Sequence, residues 1–380
     1  MAYIDKYGVE FSEDRETLIK CPKNLSGGYM IPEGVKKISG SFWYDKRGYH
    51  SGGFEDNECI ETIIIPASVT EIDHTAFRGT LSLKNIYVDG KNENFCSKDG
   101  ILYNKDKTEL IWCPEQYFGP LNLDNSVKII DDSVGNSMID SIYITDKSDY
   151  YTLIDGILYD KKRSKLIVCP KFKYDTVKIP IGIKEIGSNA FRNCLALKTV
   201  IIPNSVTRIG TMAFCGCTAL KNVKLPDAQT TIGPWCFQDC TAISEIAIPS
   251  KVRFEEGGGA LEVNLYGTFS NCTGLSKIIF LEGREVINGL CADESLFQNC
   301  TSIRTISFPK SLKELEVQCL EESISKVLVP MGEKKRFMQM LNCEEESIRK
   351  YIRVMGITKE KESYLRKIQK FKDCIEEVKQ

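Results

Sequence analysis

Phe191, Phe214 and Phe237 recur every 23 residues, and each is followed three positions later by a cysteine: Cys194, Cys217, Cys240. Pro180, Pro203, Pro226 and Pro249 keep the same step. Between each cysteine and its proline the apolar residues hold fixed places: Leu197, Val200, Ile202; Leu220, Val223, Leu225; Ile243, Ile246, Ile248. Alternation at period two turns one side of a short strand inward, and a proline ends the strand because it has no N–H for a ladder. The following Ser-Val-Thr-x-Ile-Gly is expected to turn the chain and return Val206 and Ile209 to the same core. Ala213-Phe214 then closes the coil with one large ring. No single coil can bury this set alone, so neighbouring coils must stack.

The pattern L-x-x-I-x-I at this length is the leucine-rich-repeat strand signature. Weaker copies run from Phe54 to Ile60, Ile63, Ile65 and Pro66, and from Phe77 to Leu83, Ile86 and Val88. Others run from Phe269–Cys272 to Leu275, Ile278 and Phe280, and from Phe297–Cys300 to Ile303, Ile306 and Phe308. Degenerate copies pass through Ile139, Ile142, Ile144 and through Ile324, Val327, Val329, giving nine expected coils. A second repeat is woven in: "YGVEFSEDRETLIKCP", "DGILYNKDKTELIWCP" and "DGILYDKKRSKLIVCP" each place two apolar runs around a polar turn. These read as β-hairpins within about residues 1–22, 95–114 and 151–170, expected to pair beside the coil strands and widen the sheet. After Pro330 the period changes to 3.6. Phe337, Leu341, Ile348, Ile352 and Met355 mark one helix ended by Gly356. Thr358 opens a second, striped by Tyr364, Ile368, Phe371, Ile375 and Val378. Residues 1–330 are therefore expected to form the repeat array, and 331–380 a helical cap over its last coil.

"IPNSVTRIGTMAFCGCTALKNVKLP" and the hairpin "DGILYNKDKTELIWCP" resemble the BspA-like leucine-rich repeat family over roughly residues 1–330. The resemblance implies an α/β-type repeat solenoid: a curved, right-handed coil with a mainly parallel β-sheet on one face, inserted β-hairpins and a C-terminal α-helical cap. It also implies a non-enzymatic protein whose sheet binds macromolecules, some members being surface adhesins toward host matrix proteins.

The formal net charge of −2 lacks the clustered Lys/Arg surplus of a nucleic-acid binder. No apolar run approaches the roughly 18 residues that would span a membrane. The N-terminus "MAYIDKYGVEFSEDRETLIKCPK" is charged and alternating, unlike an export signal, so a cytoplasmic location is expected for the chain as written. The alternative is a secreted or surface adhesin whose signal is missing from this sequence. Of the 16 cysteines, Cys194, Cys217, Cys240, Cys272 and Cys300 form one repeat column, where a buried free thiol acts as a small hydrophobe. Cys215-Gly-Cys217 and Cys236/Cys240 lack four converging zinc ligands, so no metal and no cofactor is expected. The chain holds no HExxH, G-x-x-x-x-G-K-[ST], G-x-S-x-G or GxGxxG before a helix. "EEGGGALE" at 255–262 reads as a loop. Of the two histidines, His74 falls in the turn "EIDHTAFRG", expected to be a solvated position, and only His50 leaves room for an enzyme with a loop-built site.

A binding module fits better. The outward places of the strands read Ile64, Tyr87, Tyr143, Ile201, Lys224, Ala247, Ile279, Ser307 and Leu328, more apolar than an open sheet face needs, so a protein or glycan partner could be held there on Ile64, Tyr87, Tyr143, Ile201 and Ile279. Strand propensity alone explains the same residues. The insertion at 39–53 offers a second candidate, with Trp43, Tyr44, Arg47 and Tyr49 of types enriched at binding hot spots.

Overall fold

A computed structural model describes residues 2–44, 48–145, 148–172, 174–255, 267–287, 296–315, 324–355 and 359–378. For 42–44, 48–50 and much of the two C-terminal helices it describes the backbone alone. The chain falls into two compact units, Met1–Lys162 with Ile167–Pro170, and Arg163–Leu166 with Lys171–Gln380.

The second unit follows the 23-residue period most faithfully. Its L-x-x-I-x-I segments become parallel front strands: Thr176–Lys178, Thr199–Ile201 and Asn222–Lys224 in one sheet. Glu245–Ile248, Lys277–Phe280, Thr305–Ser307 and Lys326–Pro330 lie in another. One period carries a residue directly onto its partner, as Val200 lies opposite Val223. The Ser-Val-Thr-x-Ile segment does more than turn the chain. Glu185–Ile186, Arg208–Ile209, Thr230–Ile232 and Val252–Phe254 pair in parallel as a back sheet, because each returns at the same height with its backbone groups facing the next coil.

Between back and front strands lies the Phe-x-x-Cys turn. The rings of Phe191, Phe214, Phe237, Phe269 and Phe297 stack at centroid spacings of 4.8, 5.1, 5.2 and 5.4 Å, close to parallel. This is near the natural spacing of paired strands. The cysteine has a specific partner. The thiols of Cys217, Cys240, Cys272 and Cys300 donate to the carbonyls of Phe191, Phe214, Phe237 and Phe269 in the coil before, at 3.0–3.2 Å. The residue ahead of each cysteine (Asn193, Gly216, Asp239, Asn271, Asn299) has φ of 57–73°, a left-handed conformation that glycine, asparagine and aspartate tolerate.

In the first unit polar residues replace the thiol. Asn57 Nδ2 donates to the Pro22 and Leu25 carbonyls at 2.6 and 3.1 Å, while its Oδ1 accepts the Cys59 and Ile60 N–H groups. Outside that turn, in the loop after Asn85–Val88, Asn92 makes the same kind of bonds to the Pro66 and Val69 carbonyls, both at 2.9 Å. Each buried amide thus ties two coils together with its polar atoms satisfied. The front strands here are Gly27–Met30, Ile60–Ile65 and Asn85–Val88 in one parallel sheet, and Phe118–Leu123 with Met138–Ile144 in a second.

Three of these front strands (Gly27–Met30, Phe118–Leu123 and, in the second unit, Thr176–Lys178) lie outside the nine coils expected. They escape the Phe-x-x-Cys period because the preceding turn is a hairpin ending in Cys-Pro. The hairpins also go elsewhere than expected. They widen the back sheet: Leu18 lies opposite Ile38, and Leu110 opposite Ile130. In the second unit Leu166 lies opposite Ile186. The short back strands offer the free edge at that level. Asp99-Gly100 and Asp155-Gly156 have positive φ at both residues, as a two-residue type I′ hairpin turn requires.

The first C-terminal helix, α1, spans Lys334–Met355 and the second, α2, Lys359–Asp373. Phe337, Leu341, Ile368 and Phe371 are buried as their spacing predicts. Phe337 continues the Phe280–Phe308 stack at 5.8 Å, and Arg336 of α1 donates to the Lys310 and Leu312 carbonyls. Ile375 and Val378, expected on α2, instead form a strand, Ile375–Val378, parallel to Lys326–Pro330. Their spacing is helical, but the open edge of Lys326–Pro330 supplies backbone partners that override it.

Candidate binding face

The proposed outward residues divide among separate sheets. Tyr87 lies directly opposite Ile64, and Ile64 opposite Met30. Met30, which the sequence reading missed, is 67% exposed, against 48% for Tyr87. Tyr143 is 60% exposed and faces Asn122 across the pair. Ile201 sits between Lys178 and Lys224, and Ile279 between Ala247 and Ser307. The apolar column is therefore broken by lysine and asparagine. In the insertion, Phe42–Tyr44 and Gly48–His50 form an antiparallel hairpin that sets Trp43 opposite Tyr49. Arg47 and most of the 255–262 loop lie outside the described residues, and the side chains of Trp43, Tyr44, Tyr49 and His50 outside those described.

Ile201 and Ile279 come together at a break in the front sheet. Lys198 O accepts Lys221 N and Asn222 N at 2.9 and 3.1 Å, and Ser244 O accepts Ser276 N and Lys277 N at 2.8 and 3.2 Å. Among the described residues no such bonds run from Ser244 or Glu245 to Lys221, and Asn222–Lys224 and Glu245–Ile248 belong to different sheets. The same two coils stay joined behind: Phe214 and Phe237 stack at 5.1 Å, and Arg208 lies opposite Thr231. The opening is one-sided. It makes a groove of about 270 Å³ lined by Ile201, Asn222, Lys224, Glu245, Ala247 and Ile279 among others. Val223 is half-buried there, while its neighbours Val200 and Ile246 are 0% and 1% exposed. The coil that opens also has Gln229 where its neighbour has Val206. Buried Thr230 fills that slot, donating to Val206 O at 2.7 Å.

Charges on this face mostly pair from coil to coil, as Lys198 with Asp175 at 2.8 Å and Lys277 with Glu245 at 3.7 Å. Lys178, Lys221 and Lys224 are exposed and make no ion pair among the described residues. His74 is exposed, with Nδ1 3.4 Å from Asp73. Burial pushes the Cys215 thiol up to about 11 and holds those of Cys236 and Cys240 well above the ordinary thiol range. Among the described residues no group of three His, Cys, Asp or Glu side chains could hold a metal ion. Nor is any helix there long and apolar enough to cross a membrane.

Six copies of the BspA-type leucine-rich repeat region match residues 48–109, 169–257 and 266–337. They cover more than half of the chain, which belongs to that family. The fold is similar to that of the pneumococcal vaccine antigen PcpA, with 14% identity, a TM-score of 0.56, and 89% of this chain and 96% of that one covered. A leucine-rich cell-surface protein of Faecalibacterium prausnitzii aligns at 20% identity over 80% of this chain and 94% of its own, with a TM-score of 0.38. A leucine-rich repeat protein of Bacteroides ovatus aligns at 20% identity over 88% and 96%, with a TM-score of 0.33. No curated protein matches the chain in sequence.

Proposed function

We propose that the chain is a non-enzymatic binding scaffold, a right-handed solenoid of residues 1–330 whose front sheets hold a partner protein, with 331–380 as its helical cap. The observation that carries this reading is the set of outward side chains. Met30, Ile64 and Tyr87 form one apolar row in register, and Ile201 and Ile279 flank one groove. The buried stack from Phe308 to Phe337 supports the cap. Exposed β-branched and aromatic residues fixed on paired strands lose little entropy on binding, which suits recognition better than catalysis.

The partner is a protein in preference to a glycan, because the exposed row is aliphatic as much as aromatic. For location, the family and the likeness to a vaccine antigen favour the surface adhesin over a cytoplasmic protein, for which they give no support. Affinity capture from the organism of origin, with mass spectrometry, tests the scaffold. The Tyr87→Glu/Ile201→Glu chain should lose the captured partner while keeping its unfolding midpoint, since surface changes usually stay within about 0.5 kcal/mol. If that chain keeps every partner and Trp43→Glu/Tyr49→Glu loses them, the site is the 39–53 insertion.

A further inference from the structure

The front sheet breaks in the first unit too, between Asn85–Val88 and Phe118–Leu123, and there the break is filled by polypeptide. Ile86 N donates to Gly100 O at 2.9 Å and Val88 N to Ser97 Oγ at 3.0 Å. On the other side Lys98 Nζ reaches Asp124 Oδ1 at 2.7 Å. The tip of the second hairpin thus lies between two front strands, offering its own backbone to the open edge.

Val223 is the counterpart of Ile86. In a parallel ladder the N–H and C=O of one residue face the same neighbour, and the direction alternates along the strand. Asn222 and Lys224 face the Thr199 side, through Asn222 N to Lys198 O and Ile202 N to Lys224 O. Val223 therefore faces the break. Across it, Ser244 and Ile248 are engaged by the next coil, through Lys277 N and Leu281 N, so Glu245 and Ala247 face the break from the other side.

We propose that this open split docks an extended, acidic peptide segment of a partner protein. The inference rests on the scaffold reading and names the partner's chemistry. The peptide backbone pairs with Val223 or with Ala247 in the way Gly100 pairs with Ile86. Its carboxylates meet Lys178, Lys221 and Lys224, which have no acidic partner among the described residues; its outward apolar side chains lie between Ile201 and Ile279, and an inward one covers half-buried Val223. Edge pairing supplies the affinity and the flanking side chains the selectivity, as in other strand-addition modes.

The test uses the full chain and a fluorescein-labelled peptide, Asp-Val-Glu-Val-Asp-Val-Glu-Thr, with a twin in which lysine replaces each acid. Anisotropy should show the acidic peptide binding at least about tenfold tighter than its twin, with the preference weakening as salt rises. Lys221→Glu/Lys224→Glu should reverse it. Ala247→Pro removes one N–H that faces the break, and proline is tolerated at such an edge; it should weaken the peptide by a similar factor at an unchanged unfolding midpoint. Hydrogen exchange should show protection gained at Val223 or Ala247. Equal binding of the two peptides overturns the proposal. So does charge-dependent binding indifferent to Ala247→Pro without new amide protection, or a soluble anionic polysaccharide or second copy of the chain that alone requires the lysines. If a captured partner survives Lys221→Glu/Lys224→Glu but is lost with Tyr87→Glu alone, this site falls and the scaffold reading stands.

Discussion

The two breaks in the front sheets share a position along the strand and differ in what fills them. In the first unit Ile86 finds Gly100 of the second hairpin; in the second unit its counterpart Val223 finds no inserted segment among the described residues. The hairpin is thus more than decoration on the back sheet, because its tip satisfies an edge that coil stacking leaves open. An unpaired edge with exposed N–H and C=O groups invites another strand. Where no described segment supplies that strand, a partner can.

The largest effect should come from what both units share, the ring column. Phe214→Ala removes a fully buried ring stacked at 4.8 and 5.1 Å between two others, and should cost about 3–5 kcal/mol in denaturant titration. Phe54→Ala, flanked by Tyr29 and Phe77 at 6.1 and 5.9 Å, should fall in the same range. A loss under about 1 kcal/mol in either would mean that the coils of that unit do not depend on the column.

Gly100→Val attacks the plug itself. Gly100 has φ of 80°, and an added Cβ would lie 2.5 Å from Asn85 Oδ1, so the change should cost about 1–3 kcal/mol. Hydrogen exchange sharpens the contrast. In the native chain the Ile86 amide should be protected and the Val223 amide fast, and in Gly100→Val both should be fast. Slow exchange at Val223 in the native, unliganded chain would erase the difference between the two breaks.

Cys240→Ala deletes one bond to the Phe214 carbonyl and should cost about 1 kcal/mol. Cys240→Ser, which can still donate, should recover part of the loss. In the native chain, labelling should reach exposed Cys59 first and the column cysteines only on unfolding. A small effect of pH follows. Cys215 keeps its proton to about 11 when folded, whereas an unfolded thiol ionises near 8.5. The folded state binds the proton more tightly, so this contribution is complete below about pH 8.5 and lost as pH rises toward 11. The thermal midpoint should be level from pH 7 to 8 and decline above about 9, and Cys215→Ala should blunt the decline.

The amino-acid pattern by itself determined the stacked coils, because their core residues repeat at an interval that returns each to the same height. Phe191, Phe214 and Phe237, Val200 and Val223, and the buried thiols all lie where the period puts them. It also located both C-terminal helices and the outward places of Tyr87 and Ile201, since alternation settles which side of a strand faces out. Tertiary structure decided what depends on neighbours rather than on period. Ile375 and Val378 have helical spacing, yet they join the sheet because a free edge lay beside them. The three strands after the hairpins carry no Phe-x-x-Cys and appear only once the coils are stacked. The front split at Val223 leaves a faint mark in sequence, Gln229 in place of a valine. Whether two strands pair is set by the distance between their backbones, and no side-chain pattern encodes that distance.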